Sequence, residues 1–190
     1  MEKDNEILER AKDRRRVFDQ MTSMHFLLSD KYKRLATIED VAEICLSVVL
    51  CALTFFDFGE VIKGKTTLPV VAIGIISALL FAFTLVKQRL DRKKQSEKHS
   101  LAGKLYSRAK IELSDQISLW ESNGYDEEEI ITYLEKNFLA LNDLVQIPEA
   151  SFAKLKHAHQ RKVEFSRFLD AHRAEPYFVC QLKFLFGKKQ

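Results

Sequence analysis

Residues that break helices are scarce in this chain: its 190 residues hold six glycines and three prolines. No glycine belongs to a GxGxxG or GxxxxGK pattern, which excludes the usual phosphate cradles. No stretch alternates apolar and polar residues long enough to make a strand, and no internal repeat is evident, so the reading is all-α. Cysteine is scarce too. Cys45, Cys51 and Cys180 are the three present, with no CxxC and no Cys–His spacing, so neither a disulfide framework nor a structural metal is indicated. The net charge of +3 is small, and arginine does not interleave with aromatics, so no nucleic-acid partner is indicated. The length fits one domain, or one membrane hairpin with one helical module.

Charge is missing altogether from Thr66–Val86, TTLPVVAIGIISALLFAFTLV. As a helix this stretch would run about 31 Å, close to the hydrocarbon thickness of a bilayer. A second apolar segment, Val41–Phe58, precedes it and carries only Glu43 and Asp57 as charges. The short gap Gly59–Lys65 suits a tight hairpin, and Pro69 falls in the first turn of the second span, where its missing N–H costs little. A buried helix apolar on every face would need a large globular shell, which a chain with 30% charged residues does not offer. The expected architecture is therefore a two-helix transmembrane hairpin with a long N-terminal helix and a cytosolic C-terminal helical module. Its boundaries are 1–37 for the N-terminal helix, 38–86 for the hairpin (spans near 41–58 and 66–86) and 87–190 for the module. The first apolar run lies some way into the chain after a charged segment, which reads as an internal anchor rather than a cleavable signal.

Lysine and arginine set the expected orientation. Lys87, Arg89, Arg92, Lys93 and Lys94 follow the second span, and Lys31, Lys33 and Arg34 precede the first. The loop has only Lys63 and Lys65, offset by Asp57 and Glu60. Both termini are thus expected in the cytoplasm, with the basic cluster at the membrane surface against anionic headgroups.

Outside the hairpin the sequence reads as a series of helices. Asp4–Leu35 has no glycine or proline, and Phe18, Met21, His25, Leu28, Tyr32 and Leu35 recur at steps of three and four. Arg14–Arg16 reads as a solvated face. Thr37 with Asp40 resembles a capping box that restarts the helix at the membrane surface. Ala102, Leu105, Ala109, Leu113, Ile117 and Trp120 form one stripe, ended by Ser122-Asn123-Gly124. Asp126 is placed to cap a helix bearing Ile130, Leu134, Phe138, Leu141 and Val145; the acids Asp126–Glu129 suit its N-terminus electrostatically rather than a metal. Pro148 opens a helix that turns Phe152, Leu155, His159, Val163 and Leu169 inward and ends before Pro176. The apolar tail Tyr177–Phe186 is too short to span. It either closes the module or lies in the membrane interface with Lys188 and Lys189 on headgroups.

Enzyme signatures are absent from this reading. There is no G-x-S-x-G elbow and no H-E-x-x-H, and His157 and His159 point to opposite sides of a helix. Glu43 and Asp57 stand about 21 Å apart along one helix, too far to act together. No catalytic residue, cofactor site or metal ligand is expected. The polar residues of the first span are more informative. Glu43, Ser47, Thr54 and Asp57 share one face, as they would if that face lined water in an oligomer. Snorkelling ends and hydroxyls bonded to their own backbone explain the same pattern without a pore. On the second span Gly74, Ala78 and Ala82 form a small-residue ladder that admits close helix packing, either within one hairpin or between chains.

This layout resembles the SLATT family of bacterial two-span effectors (SMODS and SLOG-associating two-transmembrane effectors). The resemblance is carried by LERAKDRRRVFDQMTSMHFLLSDKYKRLATIEDVAEICLSVVLCALTFF, by the span TTLPVVAIGIISALLFAFTLV and by SLAGKLYSRAKIELSDQISLW. It covers most of the chain in architecture and transfers no site residue. It implies a homo-oligomer that permeabilises the bacterial inner membrane in an anti-phage conflict system, by abortive infection. The trigger it implies is a nucleotide second messenger or a signalling partner protein. The competing expectation is a membrane-tethered helical adaptor that recruits a partner without forming a pore.

Overall fold

The computed structural model describes residues 2–62, 68–123, 130–133, 135–136, 141 and 143–187, and their side chains except 2–5, 55–62, 68–71 and 123. It is all-α, and no strand occurs among the described residues. Helix α1 is Glu2–Ile62, α2 is Leu68–Leu90 and α3 is Arg92–Asn123, followed by α4, Glu149–Ala171, and α5, Tyr177–Phe186. Residues 130–133 are also helical.

The three prolines sit where helices begin. Pro69 is the second residue of α2, while Pro148 and Pro176 immediately precede α4 and α5. A fixed φ suits the entry of a helix, where the lost N–H has no partner to leave. The 61 residues of α1 contain no proline. The helix does not restart at Thr37. That hydroxyl turns back on its own helix and donates to the Lys33 carbonyl at 3.0 Å, so it caps nothing.

Helices α2 and α3 are separated by one residue, Asp91, with φ of 38°. Its N–H still reaches the Lys87 carbonyl at 3.0 Å, and its carbonyl accepts from Gln95 at 3.1 Å. Aspartate tolerates this left-handed conformation better than most side chains. Here its carboxylate also accepts the Lys94 N–H at 3.2 Å, an N-cap for α3.

The chain divides into two compact units, residues 1–27 with 100–190 and residues 28–99. The first has an ordinary hydrophobic core. Ile7, Ala11 and Phe18 of α1 meet Ala109, Leu113 and Ile117 of α3, with Ile130 and Leu141 completing the cluster. Of the expected α3 stripe, Ala102, Ala109, Leu113 and Ile117 are buried, Trp120 is half-buried against the cluster, and Leu105 is 38% exposed at the edge of that face. Gly103 takes part instead: a Cβ there would stand 3.2 Å from the Phe26 ring. On α4 only His159 is buried; Phe152 is 39% exposed, so the inward stripe expected there is partial. Leu134, Phe138 and the Asp126–Glu129 cap lie outside the described residues.

In the second unit α1 and the start of α3 are joined by a reciprocal serine pair. Ser29 Oγ donates to the Ser96 carbonyl and Ser96 Oγ to the Ser29 carbonyl, each at 2.9 Å. The Tyr32 and His99 rings stack beside it, with centroids 5.6 Å apart and 6° between planes. Burial holds the His99 imidazole below its ordinary pKa, because the charged form is the one that loses water.

Candidate functional site

Unit 28–99 turns many of its described apolar side chains outward. Ile44 and Val48 of α1 are each 63% exposed, and Leu79 and Phe81 of α2 are 64% and 66% exposed. Among the described residues one helical stretch, within Ala72–Ser122, is long and apolar enough to cross a membrane, and none of its apolar window is buried. Val41–Phe58 carries Glu43 within it, and its side chains are described only as far as residue 54.

Among the described side chains, the half-buried residues of α2 are Ile73, Ile76, Leu80, Phe83, Thr84 and Lys87; those of α1 in the same unit include Glu39, Asp40, Glu43, Ser47, Leu50 and Leu53. Both sets recur at steps of three and four, the spacing of one helix face. Ions join the two faces at one end. Lys87 Nζ lies 2.7 Å from Asp40 Oδ1 and also pairs with Glu43 Oε2. Lys93 takes the other Asp40 oxygen at 2.8 Å, and Arg92 Nε meets Glu39 at 2.8 Å. Thr84 Oγ1 donates to Glu43 Oε1 at 3.1 Å. The Lys87 ammonium, and after it that of Lys93, holds the Asp40 carboxyl below the usual carboxylate range. Two grooves of about 500 and 520 Å³ share Glu43, Lys87 and Lys93 in their walls.

The residues expected to matter are thus distributed unevenly. Glu43 is half-buried in this ionic collar. Ser47 donates to the Glu43 carbonyl and Thr54 to the Leu50 carbonyl, each at 2.8 Å, so both hydroxyls are satisfied within their own helix. The Asp57 side chain lies outside the described residues. Gly74, Ala78 and Ala82 are exposed, with nothing within 4 Å of a Cβ built at Gly74. The ladder therefore faces away from α1 in the isolated chain. Of the basic cluster, Lys87, Arg92 and Lys93 are spent on carboxylates of the same chain, while Arg89 and Lys94 are exposed.

Sequence reasoning missed the acidic half of this collar. Glu39, Asp40 and Glu43 lie within about one turn of each other at the start of the first apolar segment, and Lys87, Arg92 and Lys93 follow the second. In any hairpin those two sets meet at the same end, and that placement was the available signal.

Among the described residues no group of three or more His, Cys, Asp or Glu is placed to hold a metal. Elsewhere one polar cluster has structural partners throughout. Tyr133 donates to Glu112 at 3.0 Å, and Arg108 meets the same carboxylate at 2.7 Å. Arg108 first, and Tyr133 after it, hold Glu112 low, while burial pushes the Tyr133 phenol up. No family model matches the chain, and no curated protein or solved structure matches it.

Proposed function

We propose that this chain is a two-span membrane effector that oligomerises and permeabilises the bacterial inner membrane in an anti-phage conflict system, in line with its SLATT-like layout. The observation that carries the membrane part is the bare apolar surface of α2, which no described residue of the chain covers. Large exposed apolar patches mark surfaces meant for lipid or protein. The excess of lysine and arginine around the paired ends puts both termini in the cytoplasm.

Assembly is supported by the outward ladder. Gly74, Ala78 and Ala82 are open to a second chain, whose helix can approach closely for lack of intervening side chains. In the assembled state Glu43, Ser47, Thr54 and Asp57 would line a water path, with acidic rings favouring cations. A nucleotide signal or a partner protein acting on the cytosolic helices would be the trigger.

Liposome leakage tests the pore. Ser47→Leu with Thr54→Leu should preserve insertion and oligomer size yet suppress dye release by drying the midplane. Full leakage at matched incorporation would rule the stripe out as the lining. Two observations favour the second reading, a tethered adaptor: Glu43 is already paired with Lys87, and both hydroxyls bond their own helix. An adaptor would hold the membrane at least as well with leucine at both positions and would release no dye in either form.

A further inference from the structure

Helix α5 carries more apolar surface than its packing uses. Its inner edge is settled: Cys180 is fully buried, and Phe184 packs on Phe165 and Phe168 of α4, with centroids 5.1 and 5.7 Å apart. The opposite arc is bare. Phe178 is 67% and Phe186 74% exposed, and Val179, Leu182 and Leu185 are exposed between them. At the helical angle per residue these five side chains fall within an arc of about 120°. At ten residues the helix is too short to cross a bilayer.

Beside this arc a groove of about 310 Å³ lies between α4 and α5, and Arg161, Lys162, Tyr177, Gln181 and Leu185 are in its wall. No carboxylate is among the described residues that line it. Arg161 and Lys162 are exposed. The nearby Glu175 carboxylate is engaged by Lys183 at 2.6 Å, and the sequence adds Lys188 and Lys189 just after the helix. An apolar, aromatic-rich arc rimmed by cations is the composition of a helix that lies in a membrane surface.

We infer that α5 is seated in the interface of an anionic bilayer, its bare arc among the upper acyl chains and its Arg161–Lys162 groove on lipid phosphate. The inference rests on reading α2 as a membrane span, which tethers α5 to lipid and makes its docking intramolecular. A protein partner would have to match the cationic rim with carboxylates while covering five apolar side chains. An anionic membrane supplies both features in one surface.

The test uses the full chain in nanodiscs containing phosphatidylglycerol, with acyl chains brominated to quench tryptophan. Trp120 is the only native tryptophan and serves as the reference. Leu79→Trp reports the span and Phe186→Trp reports α5; both positions are exposed, so neither change threatens the core. Both variants should be quenched beyond the parent. The quench at 186 should fall by about twofold in zwitterionic discs, and likewise in an Arg161→Gln, Lys162→Gln background. Quenching at 79 without quenching at 186 overturns the inference and leaves the span standing; quenching at neither overturns both. A blue-shifted but unquenched tryptophan at 186 means that protein covers the arc, which also overturns it. Quenching at 186 that is equal in zwitterionic and anionic discs overturns the assignment of the groove to phosphate.

Discussion

Residues 100–123 of α3 and residues 72–90 of α2 are both helical, yet they dispose of apolar surface in opposite ways. In α3 one stripe of apolar positions packs into a shared core, where Leu113 and Ile117 end 0% and 5% exposed, while Leu101 and Ile111 remain scattered outside it. In α2 the apolar positions occupy every face, so one partner helix covers only a stripe, and Ile75, Leu79 and Phe81 stay bare. The contrast is one of apolar content and of angular distribution together. A helix with one apolar stripe finds a protein core, whereas one that is apolar all round needs a shell or a lipid solvent.

The largest expected effect sets these regions side by side. Leu113→Ala should lower the unfolding free energy by about 2–5 kcal/mol, because it opens a cavity in packed surroundings. Leu79→Ala should change it by no more than about 0.5 kcal/mol in denaturant titrations of the detergent-solubilised chain. Equal losses would mean that α2 is packed in protein, and the contrast would collapse.

Two single-residue devices come next. Asp91→Ala removes the α3 cap and leaves a β-carbon in a left-handed conformation, and should cost about 1 kcal/mol. Asp91→Gly should recover part of it, since glycine accepts that φ freely; an alanine variant as stable as the parent would deny Asp91 both roles. In the other unit, Tyr133→Phe deletes the hydroxyl bonded to Glu112 and should cost about 1 kcal/mol in the same titration. A change below error would show that water replaces the bond.

The smallest effect is a slope with pH. The folded pKa of His99 is depressed by burial, so its contribution is fully present above its ordinary value of 6.5 and is lost as pH falls through the lower folded value. The parent should therefore melt progressively earlier as pH falls from 6.5 toward that lower value, and His99→Phe should remove part of the slope while keeping the stack on Tyr32. Identical slopes for parent and variant would exclude His99 as the titrating group.

Much of the fold was legible in the chain. All three prolines open helices, α3 ends at Asn123 beside the expected stop, and the tail forms a helix over Tyr177–Phe186 as an isolated apolar run. The Thr37 restart was misread because a hydroxyl can serve a cap or its own helix, and only the tertiary setting chooses between them. The ionic collar was hidden for a different reason. Its partners are more than forty residues apart in sequence, as Glu43 and Lys87 show, and periodicity describes one helix at a time.

The sequence by itself determined which segments are helices and which apolar faces are narrow or complete, because those properties follow from residue spacing against a fixed helical repeat. Only the tertiary structure decided where the polar groups go. It paired Lys87, Arg92 and Lys93 with Glu39, Asp40 and Glu43, turned the Gly74–Ala78–Ala82 ladder outward, and left one arc of α5 uncovered. Charge and small size state what a side chain tolerates; the neighbour it meets depends on how distant helices are brought together.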